Sequence, residues 1–591
     1  MKTGLQVGLP HNGGVYLRRI SRKRAGTEHG YWALVESERT ARGPRQKVVA
    51  YLGDVSAEFR AGVAQAASGK PNQAGLFEPV EPEWVEIDTR SVRVERARSF
   101  GGAWLGLELV KELGLDSFLE QKMGVSRADI PWHLVAQILI VHRLIEPSSE
   151  LSIAEGGFEK TSLSDLLGVP VDKVNDDRLY RCLDRLVDQK RDLEIHLKNK
   201  LGELFGISYE LLLYDITSTF FEGQAGRNPQ AKQGYSRDSR PDCKQVTIAL
   251  VVSREGLPFG YEVFDGNRAD VTTVEDIVEE MEARYGKADR IWAMDRGMVS
   301  QENVEFLQEG GRKYILGTAK GQLKKFEKEL AEQGWEQVRE GLEVKKVVTP
   351  SDPEIFVLCR SQARREKDKA IHDRFAAKIE KGLTRLSQSC AKRRLKILDV
   401  ERRIGRLLGQ NTRAEALFEV KTSVREGGGT DVSWTKREDV RTWSELSEGC
   451  YVLRTNVTDW PAEDLWKAYI QLTQAEAAFR ICKNDLELRP VWHQKEDRVQ
   501  AHILVCFLAF VLWRTLDMRC RNAGLGDSAR KVLSEIAAIQ SVDVVMNTRS
   551  GVQIRKRCVS LPEPHLRTLL HKFKLDLPRN VDAQNVVKTS A

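Results

Sequence analysis

The sequence predicts a multidomain α/β protein, on three grounds. With 591 residues it exceeds what one hydrophobic core organises. Short apolar runs alternate with helix-like segments between residues 211 and 317, and that rhythm then stops for more than a hundred residues. In order, strand-like runs occupy Leu211 to Asp215, Val246 to Ser253 and Phe259 to Phe264, and Val271 to Tyr285 reads as a helix. A strand at 290–295, a helix near Glu302 to Leu307 and a strand at Lys313 to Gly317 complete the series.

Three strands, a helix, a strand, a helix and a strand is the element order of the ribonuclease H-like fold, a mixed sheet with helices packed on it. In that order the first and fourth strands lie side by side. Asp215 and Asp295, 80 residues apart, then become neighbours. Each ends a short apolar run, Leu-Leu-Leu-Tyr-Asp at 211–215 and Arg-Ile-Trp-Ala-Met-Asp at 290–295, so each is expected at the C-terminal end of a buried strand. A third acid, Glu476, shares a predicted helical stripe with Tyr469, Leu472 and Lys483, within about 60° of arc at roughly 100° per residue. Carboxylates from two strands and a helix make an oxygen-rich site for Mg²⁺ or Mn²⁺, hard cations suited to phosphate chemistry. Glu487 and Glu496 are rival third acids, without the Tyr and Lys partners on their stripe, and Glu222 is a further acid read as peripheral.

The surrounding organisation follows from texture. Residues 1–68 form a basic, β-rich module with strands at Tyr16 to Ile20, Tyr31 to Val35 and Lys47 to Leu52, and residues 69–98, with Pro71, Gly75, Pro79 and Pro82, read as a linker. Residues 99–205 read as a helical, DNA-reading domain. It includes the apolar Trp132 to Ile145 and a more charged helix over Asp176 to Lys190. The catalytic core is expected over 206–317 and 451–520, split by an insertion at 318–450, with a C-terminal region at 521–591. The insertion holds β-type pieces at Val344 to Val348 and Ile355 to Leu358, a predicted helical hairpin with Leu395, Leu398, Ile404 and Leu407, and a turn at Gly427-Gly-Gly429.

Charge points to a polyanion. The net charge is only +7, yet residues 361–407 carry 15 Lys and Arg against 6 Asp and Glu, and residues 16–48 carry 9 against 3. Concentrated basic regions on a nearly balanced chain suit nucleic acid bound at defined places. The nine cysteines show no metal-binding spacing, which predicts reduced thiols inside the cell. The longest apolar run, Ile503 to Trp513, is too short to span a bilayer and reads as a buried helix. His493 and His502 are expected to be packed or hydrogen-bonded.

These residues resemble the DDE insertion-sequence transposases, in the IS-four-like group. The family signature Y-x-x-R-x-x-x-E-x-x-x-x-x-x-K is met at Tyr469, Glu476 and Lys483, with Leu472 in place of the Arg. Tyr214-Asp-Ile-Thr-Ser-Thr-Phe-Phe-Glu-Gly223, the stretch 234–245, Asp295-Arg-Gly-Met and the stretch 489–503 are similar to the family's other blocks, in the same order. The resemblance implies a DNA transposase that cleaves transposon ends and joins the 3′-hydroxyl to target DNA. It assigns catalysis and metal binding to Asp215, Asp295 and Glu476, with two Mg²⁺ ions for which Mn²⁺ substitutes. Tyr469, Lys483, Arg480, Arg296, Lys244 and Arg237 are the expected DNA contacts, Lys483 reaching a phosphate about two turns beyond Glu476. Partners are the terminal inverted repeats and target DNA, acted on by a homodimer in the cytoplasm, at the nucleoid when DNA-bound. In relatives that cut through a hairpin, an aromatic of the insertion stacks on a flipped base. Trp335, Trp434 and Trp443 are candidates, although core packing is the favoured reading. A structure-specific endonuclease of the same fold and a decayed DNA-binding relative remain alternatives.

Overall fold

The computed structural model describes residues 15–24, 27–40, 43–53, 85–124, 128–348, 353–426 and 428–578. The expected linker prolines, Pro71, Pro79 and Pro82, and Gly75 lie outside the described residues, as do the end of the basic module, Gly427 and the last residues of the C-terminal region. Two compact units divide the chain. The first contains an antiparallel meander of β1 (Val15–Arg24), β2 (Thr27–Thr40) and β3 (Gly43–Gly53), with Ala33 and Val35 buried. The three expected strands lie inside these longer ones.

The second unit opens with β4 (Arg93–Ser99), within the stretch expected to be linker. Its sequence, Arg-Val-Glu-Arg-Ala-Arg-Ser, has no apolar face, so it does not read as a strand. Ion pairs hold it: Arg98 to Asp165 at 3.1 Å and Glu95 to Arg555 at 2.9 Å.

The main sheet is built from β5 (Leu211–Phe220), β6 (Gln245–Ser253), β7 (Pro258–Asp265), β8 (Ile291–Met294), β9 (Lys313–Gly317), β10 (Glu336–Arg339), β11 (Leu342–Val348), β12 (Ile355–Ser361) and, after a hairpin of β13 (Phe418–Val424) and β14 (Thr430–Lys436), β15 (Cys450–Thr455). Its order is β10-β11-β12-β15-β9-β8-β5-β6-β7, nine strands in one mixed sheet. The pairs β5–β8 and β8–β9 are parallel, and β5–β6 and β6–β7 antiparallel. A mixed α/β fold with the first and fourth core strands adjacent is therefore present. The interval expected to be an insertion from residue 318 behaves differently at its edges, because β10, β11 and β12 extend the main sheet. Residues 362–449 leave it for a separate substructure. There the helices Gln362–Lys392 and Ile397–Gly409 and the β13–β14 hairpin share a separate core of Ile379, Leu383, Val400, Phe418 and Val432. Ile404 is buried in it, Leu395 and Leu407 pack against it, and Leu398 is exposed.

Strand alternation sends successive side chains to opposite faces of the sheet. Leu212, Tyr214 and Ile216 pack with the helices Val274–Tyr285 and Gln301–Glu309 on one face. Leu211 and Leu213 join a much larger core on the other, which includes the helices of residues 101–205 and the helix Glu496–Asn522. Residues 99–205 therefore share the core of the catalytic sheet. The long helix shows why: from Ala501 to Met518 every residue is buried, so it needs apolar cover on all sides. Its most apolar window would suit a membrane by length and composition, but is 94% buried within the protein. The expected helix over Asp176 to Lys190 ends at Leu186, and a 3₁₀ turn, Val187–Gln189, leads into Lys190–Phe205. Near the C-terminal end β16 (Gln540–Asn547) and β17 (Gln553–Val559) join β4 in the order β17-β16-β4, where Asp543 pairs with Arg557 at 2.6 Å, and the helix Pro564–Lys572 follows.

Leu213 is completely buried two residues before Asp215. Leu213→Ala is expected to cost about 2–5 kcal/mol of stability, read as a lowered denaturant midpoint.

Candidate active site

Alternation also decides where the acids go. Asp215 and Asp295 have the parity of Leu211, Leu213, Ile291 and Ala293, all residues of the large core. The helix Leu472–Asn484 covers that same face, burying Leu472, Ala475, Ala478 and Phe479 in that core, with Glu476 on its exposed flank. The parallel register runs from Leu211 opposite Ile291 to Tyr214 opposite Met294, so Asp215 and Asp295 are the next step along both strands. Asp215 was expected at a strand end, but β5 continues to Phe220. The pairing with β8 stops at Tyr214, whereas that with β6 runs on to Phe220, so the acid sits where its neighbour ends.

All three carboxylates line one cleft of about 980 Å³, together with Tyr469 and Arg296. Asp215 Oδ1 accepts a hydrogen bond from Ile216 N at 2.8 Å. Burial pushes the Asp215 carboxyl up to about 7 from 3.8, and the charges of Glu476 and Asp295 add to the rise. The Tyr469 hydroxyl donates to Asp295 Oδ1 at 3.1 Å. Tyr469 and Glu476 are not on one continuous helix: Tyr469 ends Ala462–Ile470, and a break at Gln471 precedes the Glu476 helix. A Cβ placed on Gly317, at the end of β9, would overlap the Tyr469 hydroxyl, so this glycine keeps the phenol beside Asp295.

The other sequence-derived positions scatter. Lys483 is buried in an ion pair with Asp238 at 2.8 Å, which Arg489 shares, and so is turned away from the cleft. Its hydrocarbon stem lies in the packed end of the helix, where desolvation lowers its pKa. Arg237 pairs with Asp270, whereas Lys244 is part-exposed, Arg480 exposed, and neither lines the cleft. Glu487 and Glu496 do not line it either, and Glu222 pairs with Arg240 at 3.1 Å.

Residues that sequence reasoning did not single out line the rest of the cleft. Lys320, Arg364, Lys367, His372 and Arg413 contribute cationic and titratable side chains. Arg364 and Lys367 begin the helix Gln362–Lys392, inside the segment whose basic excess was visible, and Arg364 stacks on Tyr451 at 4.8 Å. Of the three tryptophans, Trp443 alone lines the cleft. Lys324 lies 4.4 Å from its ring centroid, whereas Trp335 stacks with Arg360 and Trp434 packs on the insertion core.

Residues 209–512 match the family model of the transposase DDE domain, about half of the chain. The chain belongs to the DDE transposases. Residues 17–74 match the N-terminal domain of IS1634 family transposases, which makes this an insertion-sequence enzyme. A cryo-EM structure of the piggyBac transposase synaptic complex with hairpin DNA aligns with TM-score 0.33 and 9% identity, over 77% of this chain and 82% of that one. No curated protein matches. The transposase is a DNA-binding enzyme of strand cleavage and transfer, and like its family depends on divalent metal. Three hard oxygen donors lining one cleft, one of them with its proton affinity raised by burial and further by the charges of the other two, fit such an ion.

Two outcomes follow, the first read on the metal-free protein and the second on the metal-loaded enzyme. Between pH 4 and about 7 the metal-free folded state retains a proton on Asp215 that the unfolded chain has lost, so stability falls as pH rises through that window. Denaturation at several pH values reads this slope, which Asp215→Asn should reduce. Gly317→Ala should slow DNA cleavage at least ~10-fold by displacing Tyr469 from Asp295, a loss of about 1.4 kcal/mol in transition-state stabilisation, with the melting temperature nearly unchanged.

Proposed function

We propose that Asp215, Asp295 and Glu476 are the catalytic carboxylates and that they hold two Mg²⁺ ions, with Mn²⁺ able to substitute. The observation that carries this reading is the shared face: two adjacent parallel strands and the helix above them deliver three like charges to one cleft. Ions bound there supply Lewis acidity to the attacking and leaving oxygens of a phosphodiester. By the resemblance to the family, Asp215 would help to hold these ions together with Asp295 and Glu476. Tyr469 orients Asp295 through its hydrogen bond and leaves the other oxygen of that carboxylate available.

The DNA strand runs between the acids and the cationic side chains of Lys320, Arg364, Lys367 and Arg413, which bind its phosphates. Arg296 holds phosphate beside Asp295. Arg480 and Lys244 serve DNA lying outside the cleft, as do Arg237 and Lys483 once released from Asp270 and Asp238. Cleavage frees a 3′-hydroxyl at the transposon end, and that hydroxyl attacks target DNA in the same cleft. Trp443 is the aromatic placed to stack on a flipped base if the reaction passes through a hairpin. The enzyme falls in the IS-four-like group and acts as a homodimer on paired terminal inverted repeats. Its basic N-terminal module reads those repeats, in the cytoplasm at the nucleoid.

A strand-transfer assay with labelled transposon ends in Mg²⁺ tests the assignment. Joined product should vanish in Asp215→Asn, and equal product from both proteins would refute it. Cleaved ends without joined product would favour the endonuclease alternative. Affinity for DNA should fall steeply with salt. Arg364→Ala should reduce the slope of log affinity against log salt by about 1, and an unchanged slope would remove Arg364 from the interface.

A further inference from the structure

Outside the catalytic cleft, one cluster joins three distant parts of the chain. Glu150 follows the apolar helix Trp132–Ile145, His493 lies in the segment after the Glu476 helix, and His502 lies in the buried helix Glu496–Asn522. One ligand atom from each residue falls within 4.8 Å of the other two. Glu150 and His502 are buried and His493 is nearly so, with its Nε2 at 3.4 Å from Glu150 Oε2. We propose that Glu150, His493 and His502 form a second, structural metal site for a borderline transition ion such as Zn²⁺, distinct from the catalytic carboxylates.

The donor set carries the proposal. Two imidazoles and one carboxylate are a preferred zinc set, and hard Mg²⁺ does not select imidazole. His502 Nε2 lies 3.2 Å from the Leu488 carbonyl. With that nitrogen donating to the carbonyl, Nδ1 is left to bind a cation, the outer-shell arrangement usual for a metal-bound histidine. Burial holds His502 neutral, its pKa down to about 3. Burial opposes ionisation of Glu150, but the hydrogen bond and charge of His493 outweigh it and bring the carboxyl to about 2. The Arg143 guanidinium acts on both groups and disfavours a dication there. Coordination by two nitrogens therefore has to supply the affinity, which selects a transition ion over an alkaline-earth one.

The position gives the ion a purpose. Leu488 O also accepts from Thr219 Oγ1 at 3.3 Å, and Val491 N donates to Phe220 O at 2.9 Å. The segment between the Glu476 helix and the long helix is thus tied on one side to β5, the Asp215 strand. Through His493 and His502 it meets Glu150 on the other. An ion at the cluster clamps this segment, and with it the helix that delivers Glu476, against the helical layer.

Titration of the full-length, metal-stripped protein with Co²⁺ tests this, because tetrahedral Co²⁺ bound by nitrogen has intense visible absorption that Mg²⁺ cannot produce. One Co²⁺ per chain should give that spectrum in the wild type and equally in Asp215→Asn. His493→Ala and Glu150→Gln should each weaken binding at least ~100-fold, at the upper end of the loss seen for outer-shell changes. No tetrahedral spectrum in the wild type, or an undiminished one in both variants, overturns the proposal. Loss of the spectrum in Asp215→Asn would also overturn it, since the ion would then belong to the catalytic cleft. Should the His493 and Glu150 variants fail to fold, Asp215→Asn decides: Zn²⁺ in excess should raise its melting temperature by several degrees, and an unchanged value overturns the site.

Discussion

Like charges gathered at one point are the constraint on which this molecule turns. Asp215, Asp295 and Glu476 repel one another in the absence of a cation, and the raised proton affinity of Asp215 records that repulsion together with its burial. Only a stiff frame holds such groups together. The frame is the parallel β5–β8 pair, whose register sets the two aspartates side by side, and a helix whose apolar side is sunk into the core beneath them. Behind it runs the helix Glu496–Asn522, buried all round, which fuses the sheet to the helices of residues 101–205. The geometry of the three-carboxylate cleft and global stability thus rest on the same packing.

The cleft has two unlike walls. The acids stand on the sheet and on the helix Leu472–Asn484 over it, and the cations facing the same space, apart from Arg296, come from residues 320 and 364–413, on or beside the excursion between β12 and β15. Because β10, β11 and β12 are strands of the main sheet, the basic helix Gln362–Lys392 springs directly from the catalytic scaffold. That rigid root is what allows a distant piece of sequence to complete the site. Arg364 brings a guanidinium to this cleft from an element remote in sequence from the acids.

Much of this was legible beforehand, for identifiable reasons. The apolar runs around Leu211 and Ile291 are too short for a helix buried on all sides and so read as buried strands, and the order of elements then sets Asp215 beside Asp295. The ion pair of Lys483 with Asp238 was not legible, because helical spacing reports the angle around an axis, while that pairing depends on a loop 245 residues away. β4 escaped notice because its charges are satisfied by partners near residues 165 and 555, so its local composition resembles a linker. Glu150, His493 and His502 gave no sign of proximity, since their spacing matches no local ligand motif.

By itself, the sequence determined the short-range matters: most strands and helices around the main sheet, which face of each is apolar, and where basic charge is concentrated. Periodicity and composition encode these because each depends on residues within a few turns of one another. The tertiary structure decided which face the acids share, which cations look across at them, and which lysine is locked away. Those outcomes depend on pairings across tens to hundreds of residues, where burial, register and charge compensation act only after the chain has closed on itself.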